Sequence, residues 1–217
     1  LLIERASGGG LVGNIYRRKV VAVLPGMQAA FIDIGLERTA FLHASDIAVR
    51  DADGNTKATS NGSNAKSTDN IQELLHQGQD LLVQVVKDPL GTKGARLTTH
   101  LSVAARFLVY MPGEDHIGIS QKIESEEERQ RLRDVVSELA EELGSGGYIV
   151  RTVAEGVSDK EIRSDVAFLH KIWTEIQERA KECSLGQLVH GDLSLAMCTM
   201  RDHMNGGVEK VRSDSRE

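Results

Sequence analysis

Five short apolar segments, separated by Gly, Pro, Asn or Asp, follow one another between residues 11 and 102. Their length, their β-branched residues and their apolar alternation predict strands rather than helices. The first two strands meet at Pro25-Gly26 within "KVVAVLPGMQAAFIDI", and "TAFLHASDI" indicates the third. The fourth and fifth lie in "QDLLVQVVKD" and "ARLTTHLS". Five such strands in one stretch favour a small OB-type barrel.

One long insertion, residues 50–70, interrupts this run of strands. Its sequence, "RDADGNTKATSNGSNAKSTDN", holds almost no apolar residue and many Gly, Asn, Ser and Thr. A segment of this composition cannot support a packed core. We therefore predict a flexible surface loop within the barrel domain.

The second half of the chain mixes strands with helices. Apolar residues at helical spacing predict one helix over Glu124–Gly144 and another after Ser158, which resembles an N-cap. The segments "RFLVYMPG", "HIGIS" and "YIVRT" are typical of short strands. Near the end we expect a helix around 193–204 and then a strand. The fold class is therefore α+β, with a barrel followed by a mixed unit.

Composition limits the classes of partner. The 217 residues carry a net charge of −6, which argues against blanket binding of polyanions but allows a local basic patch. No apolar run reaches the roughly 18 residues of a membrane span, and no signal peptide is recognisable. We expect a cytoplasmic protein without a membrane partner.

The spacing of the reactive residues indicates neither a metal centre nor a hydrolytic site. The two cysteines, Cys183 and Cys198, do not form a CxxC pair, and the seven His show no ligand spacing. Two reduced thiols are favoured over a single disulfide. From these patterns we expect no cofactor, no metal site and no catalytic residues.

A local basic patch does occur at the turn between the fourth and fifth predicted strands. Within 84–106 a single acid, Asp88, is outnumbered by four basic residues, Lys87, Lys93, Arg96 and Arg106. Phe31 and Phe41 lie on neighbouring predicted strands. Lysines that neutralise phosphates beside rings that stack on bases are typical of single-stranded RNA binding. The alternative is that both rings are core and the lysines are only solvated.

A second candidate site is the segment "IVRTVAEG". Arg151 and Thr152 follow an apolar strand and precede a Gly, so a guanidinium and a hydroxyl are offered at one place. This combination suits a terminal phosphate group. The alternative is an ordinary surface arginine after a strand.

Several longer stretches carry more information than these patterns, among them "VLPGMQAAFIDIGLERTAFLHASDI", "LLHQGQDLLVQVVKDPLGTKGARLTTHLS", "IGISQKIESEEERQRLR" and "IVRTVAEG". Together they resemble the bacterial ribonuclease E/G family, and within it the ribonuclease G branch, over nearly the whole chain. The resemblance implies an OB-fold RNA-binding barrel at 11–100, inserted in a partial ribonuclease-H-like subdomain at 1–10 and 185–217. It also implies an α/β 5′-sensor subdomain at 101–184.

The resemblance also assigns roles to individual residues. The barrel residues that match the family's RNA-binding positions are Phe31, Phe41, Lys87 and Lys93. The residues that match the pocket for a 5′-monophosphate are Arg151, Thr152, Val109 and Ala105. Ala105 stands where the ribonuclease E branch has a Gly whose backbone helps to line that pocket.

The activity implied by the resemblance is endoribonucleolytic cleavage of single-stranded RNA that carries a 5′-monophosphate. The full-length protein would be a homodimer with two kinds of substrate. It would mature the 5′ ends of ribosomal RNA precursors, and it would degrade messenger RNA. Its Mg²⁺ site would lie in a further domain beyond residue 217, so this chain would bind RNA and not cleave it. The alternative is a stand-alone RNA-binding module or RNA chaperone without nuclease activity.

Overall fold

The computed structural model describes residues 10–48, 70–143, 146–183, 186–204 and 207–212. The predicted loop at 50–70 lies, apart from Asn70, outside the described residues. Internal contacts divide the chain into one unit over Leu11–Asp192 and a second made of Leu1–Gly10 and Leu193–Glu217. The predicted boundaries inside the larger unit, near residues 100 and 184, stay predictions.

The alternating segments of the first half form a closed barrel. Its five strands are β1 (Ile15–Leu24), β2 (Ala29–Ile32), β3 (Ala40–His43), β4 (Asp80–Lys87) and β5 (Arg96–Thr98). Their order is β1-β2-β3-β5-β4, and β4 pairs back onto β1. The β3–β5 pair is parallel and the other pairs are antiparallel. This closure confirms the predicted five-stranded barrel of the OB type.

The interior of the barrel is filled by the alternate apolar residues of its strands. Ile32, Leu42 and Leu97 come from three different strands, and each is fully buried. A single helical turn, α1 (Ile71–Leu74), adds Ile71 to this core. The side chain of Asn70 caps α1 by accepting a hydrogen bond from the backbone amide of Gln72.

A second sheet follows the barrel. Its strands are β6 (Val103–Ala104), β7 (Leu108–Met111), β8 (Ile117–Ile119) and β9 (Gly147–Val150). Their order is β6-β7-β9-β8, in which only β8 and β9 run parallel. The helices α2 (Glu126–Leu143) and α3 (Asp159–Glu182) contribute buried residues to the core of this sheet. The mixed α+β unit predicted after the barrel is therefore confirmed.

Helix α3 begins where the sequence predicts it. The Ser158 hydroxyl accepts from the Glu161 amide while the Glu161 carboxylate accepts from the Ser158 amide, which completes a capping box. Its apolar face is buried along its length and includes Ile162, Val166 and Leu169. After α3 the chain returns to the barrel, because β10 (Leu188–His190) pairs antiparallel with the start of β1.

The second unit is described by itself and contains α4 (Leu195–His203). This helix confirms the one predicted around 193–204. The strand predicted after it is wrong for residues 207–212, which form no strand. The predicted ribonuclease-H-like nature of these terminal segments stays a prediction.

The approach of β3 to β5 yields a test of barrel closure. A Cβ at Gly94, just before β5, would overlap the backbone carbonyl of Thr39, just before β3. Gly94→Ala should therefore destabilise the protein by about 2 kcal/mol, as overpacking against backbone does. Urea unfolding measures the difference. Gly26→Ala is the control because a Cβ there has no neighbour within 4 Å; equal stability of the two variants would contradict the prediction.

Candidate nucleic-acid interface

Four of the residues singled out in the sequence form one row across the barrel. Phe31 on β2 lies opposite Phe41 on β3, Phe41 is in register with Arg96 on β5, and Arg96 is in register with Lys87 on β4. Residues directly opposite each other across a sheet have Cβ atoms about 5 Å apart and share a face. The row therefore offers two adjacent rings, a guanidinium and an ammonium group in that order.

The two rings are not core residues. Phe31 and Phe41 are each partly exposed, while their strand neighbours Ala30 and Leu42 are fully buried. The alternation of the strands puts the rings on the outer face of the barrel. The alternative that both rings are buried in the core is therefore wrong.

The basic turn is smaller than its sequence indicates, because two of its four cations are engaged elsewhere. The Arg96 guanidinium makes a two-point pair with the Asp46 carboxylate, at 2.8 and 3.0 Å, and this pairing raises the pKa of Arg96. The Arg106 guanidinium lies over the Phe107 ring, 5.0 Å from its centroid. Lys87 and Lys93 are exposed. Within the described ranges they are the turn residues that remain for an external anion.

The hairpin that carries these lysines is fixed by backbone bonds. Leu90 and Lys93 exchange two hydrogen bonds, at 3.1 and 3.0 Å, around a turn in which Gly91 has a positive φ of 58°. Asp88, the one acid of this stretch, accepts a hydrogen bond from the Leu11 amide at 2.7 Å. Lys93 thus stands at a defined place beyond the row.

The second candidate site lies where two parallel strands end together. Ile119 at the end of β8 is in register with Val150 at the end of β9. Ser120, one residue beyond β8, therefore lies close to Thr152, two residues beyond β9, and their hydroxyl oxygens are 2.8 Å apart. The sequence did not predict Ser120 as a site residue. Its only signal is that it is a polar residue between the end of β8 and the start of α2.

Arg151 is held by the turn between β6 and β7. One of its guanidinium nitrogens donates to the carbonyl oxygens of Ala105 and Arg106, at 2.9 and 2.8 Å. Ala105 itself is buried, and its amide donates to the Leu108 carbonyl. The predicted residues Arg151 and Ala105 are therefore in direct contact, through the carbonyl of Ala105.

Val109, the remaining predicted pocket residue, belongs to an apolar area of the same sheet. It lies on β7 opposite Ile149 on β9, whose side chain is 40% exposed. Ile149 precedes Arg151 by two residues, so the alternation of β9 puts both on one face. The site thus combines a guanidinium, two hydroxyls and an apolar surface.

Helix α3 contributes a carboxylate that the sequence analysis missed. Asp165 accepts hydrogen bonds from the backbone amides of Arg106, Phe107 and Leu108. Burial raises the pKa of Asp165, and the three amides and the nearby Arg151 only partly offset this effect. One acid in the second turn of a helix that carries several exposed acids has no distinguishing signal in the sequence.

Helix α2 is bonded to residues 156–159, which follow Arg151 along the chain. The Glu128 carboxylate accepts from the Gly156 amide at 2.9 Å and from two nitrogens of Arg131. Arg131 in turn donates to the Val157 carbonyl and pairs with Asp159. The bonds from Arg131, with that from Gly156, lower the pKa of Glu128 to about 2.

The matching family model has the description Ribonuclease E/G family and covers residues 102–217, so the chain belongs to this family. Ribonuclease G of Escherichia coli is 51% identical over 215 residues, which are 99% of this chain and 42% of that protein. Ribonuclease G of Haemophilus influenzae is 46% identical with the same coverage. Ribonuclease E of a Nostoc species is 36% identical over 97% of this chain and 29% of that protein.

The chain therefore spans less than half the length of the curated relatives that it matches. Among solved structures, a putative exosome complex RNA-binding protein aligns at 15% identity with a TM-score of 0.30, over 75% of this chain and 96% of that one. This similarity is too low to add to the family assignment.

In the described part of the chain, no three His, Cys, Asp or Glu side chains come together as ligands for a metal ion. The described residues therefore do not fit a Mg²⁺ site. None of the described helices is long and apolar enough to cross a membrane.

Glu128 gives a pH-dependent prediction. Because its folded pKa of about 2 is below the ordinary 4.5, its stabilising contribution is complete above pH 4.5 and is lost as pH falls towards 2. Glu128→Gln should lower the free energy of unfolding by about 1 kcal/mol at pH 7, the upper range for partly exposed ion pairs. The deficit should shrink below pH 4.5. Denaturant unfolding at several pH values measures it.

The control for this prediction is Glu127→Gln. Glu127 shares the first turn of α2 but is exposed, so it matches the loss of charge near the helix dipole. A deficit of equal size in both variants, or one that does not change with pH, would contradict the role given to Glu128.

Proposed function

We propose that this chain is the RNA-recognition portion of a single-strand-specific endoribonuclease that senses 5′-monophosphate ends. The observation that carries the proposal is the row formed by Phe31, Phe41, Arg96 and Lys87 across four neighbouring strands. Membership of the ribonuclease E/G family supports the same conclusion.

The row is suited to a single strand for a physical reason. Bases of a single strand expose their faces, and each base stacked on an aromatic ring contributes about 1–3 kcal/mol whatever its identity. Phe31 and Phe41 would accept two successive bases, while Lys87 and Lys93 would contact the phosphates. Since the chain has a net charge of −6, attraction of RNA depends on these local cations.

The site around Arg151 is suited to the end of a strand. A 5′-monophosphate carries more charge and more free oxygens than an internal phosphodiester, so donors that converge on one point favour it. Arg151 would contribute its guanidinium, and Thr152 and Ser120 their hydroxyls. The apolar surface of Val109 and Ile149 would support the first base. None of these contacts requires a particular base.

We propose RNA cleavage for the full-length protein and not for the residues described here. By resemblance, that protein is a homodimeric ribonuclease that uses Mg²⁺ held outside these residues. Its substrates would be ribosomal RNA precursors, in 5′ maturation, and messenger RNA, in turnover. The Mg²⁺ would supply an activated water for phosphodiester hydrolysis, whereas the residues described here bind and orient the strand.

Lys93 should act on phosphates irrespective of the RNA end. Lys93→Ala should weaken 5′-monophosphorylated and 5′-hydroxyl RNA of one sequence equally. It should also flatten the slope of log affinity against log salt by about 0.7, the value for one lost single-strand phosphate contact. Fluorescence anisotropy at several salt concentrations measures both effects. Lys171→Ala, on the exposed side of α3, is the charge-matched control; an equal effect there would reduce the role of Lys93 to general charge.

Arg151 should act on the 5′ end alone. A charge-assisted hydrogen bond contributes about 1.5–3 kcal/mol, so Arg151→Ala should weaken 5′-monophosphorylated RNA roughly ten- to a hundredfold. Binding of the matched 5′-hydroxyl RNA should be nearly unchanged. Anisotropy on the RNA pair measures the difference, with Arg163→Ala, an exposed arginine paired with Glu142, as the control. Equal weakening of both RNAs would make Arg151 an ordinary backbone contact and refute the sensor assignment.

A further inference from the structure

The turn that holds Arg151 is itself held from its other side. Residues 105–108 link β6 to β7, and the Ala105 amide closes the turn by donating to the Leu108 carbonyl at 2.8 Å. The remaining three amides of the turn, those of residues 106–108, all point to the Asp165 carboxylate, at 3.3, 2.8 and 3.0 Å. Asp165 therefore binds every amide that the turn does not use internally.

The carbonyls of the same turn point to Arg151. Those of Ala105 and Arg106 accept from the guanidinium, and that of Phe107 accepts from the Arg151 amide at 2.8 Å. All eight backbone polar groups of residues 105–108 are thus bonded: two to each other, three to Asp165 and three to Arg151. Hydrogen bonds in such a chain polarise one another, so a bond to the amide side strengthens the carbonyl side.

Asp165 lies in surroundings that disfavour its charged form. Burial raises the pKa of Asp165, which means that ionised Asp165 lowers the stability of the folded protein relative to its protonated form. Ionised groups kept in surroundings that disfavour them are common where they serve a site. Arg151, the cation of the candidate phosphate site, lies on the other side of the turn.

We propose that Asp165 is a positioning residue of the phosphate site: by binding the amides of residues 106–108 it fixes the two carbonyls that orient the Arg151 guanidinium. This inference rests on the proposed function, because it assigns a role within the 5′-end site. Asp165 acts through the turn and does not contact RNA. Without it, the turn loses its fixed geometry and Arg151 loses a defined direction.

The test compares variants of Asp165 by the ratio of affinities for 5′-monophosphorylated and 5′-hydroxyl RNA. Asp165→Ala removes all three acceptor bonds and should lower this ratio by about tenfold, the effect of one charge-assisted hydrogen bond. Asp165→Asn should keep the ratio within about threefold of the parent, because one amide oxygen can still accept from Phe107 and Leu108. Affinity for 5′-hydroxyl RNA and its salt slope should not change in either variant.

Two further variants complete the design. Ser164→Ala, next to Asp165 and exposed, should change nothing. Asp165→Leu keeps the branched shape of the side chain without an acceptor, and it replaces Asp165→Ala if circular dichroism shows that the alanine variant is unfolded. A folded Ala or Leu variant that keeps the ratio overturns the inference while the proposed function stands. An Asn variant as defective as Ala also overturns it, since charge and not amide bonding would then matter. A parent protein with no end preference overturns both proposals.

Discussion

The double pairing of β1 is the constraint on which the rest of the larger unit depends. Residues 15–19 pair with β4, and Val20–Leu24 pair with β2, with a shift of register between Val20 and Ala22. A shift of this kind bends a strand and increases its twist, which allows one strand to close the barrel. The start of β1 also pairs with β10, which follows α3. The strand β1 therefore closes the barrel by pairing with β4. It also joins the barrel to the segment that follows the second sheet, by pairing with β10.

Local periodicity in the sequence is sufficient to predict the strands and helices, but it does not predict which of them are neighbours in space. Alternation predicted the barrel strands, and helical spacing predicted α2 and α3, because both patterns reflect which side chains face a core. The row of Phe31, Phe41, Arg96 and Lys87 depends instead on register. Phe41 meets Arg96 only because β3 and β5 run parallel, a pairing between segments more than fifty residues apart. The engagement of Arg96 by Asp46 is equally long-range, so the basic turn looked larger in the sequence than it is.

The proposed phosphate site around Arg151 depends on long-range contacts to an even greater extent. Arg151 and Thr152 were predicted from one segment, and the resemblance added Val109 and Ala105. Ser120 reaches Thr152 through the parallel pair β8–β9. Asp165 reaches the turn at 105–108 from the second turn of α3. Neither contact follows from spacing along the chain, because each joins elements whose packing depends on the whole sheet.

The distribution of arginine and lysine follows from their chemistry. The guanidinium group is planar and presents several donors in fixed directions, so it suits defined partners. In the larger unit such arginines hold carboxylates or carbonyls: Arg17 with Asp80, Arg96 with Asp46, Arg131 with Glu128, and Arg151 with the turn at 105–108. Lys87 and Lys93 are exposed on a flexible four-carbon stem. A mobile point charge can follow any phosphate of a strand that moves across the barrel, whereas a single chain end is best recognised by a group already held in one direction.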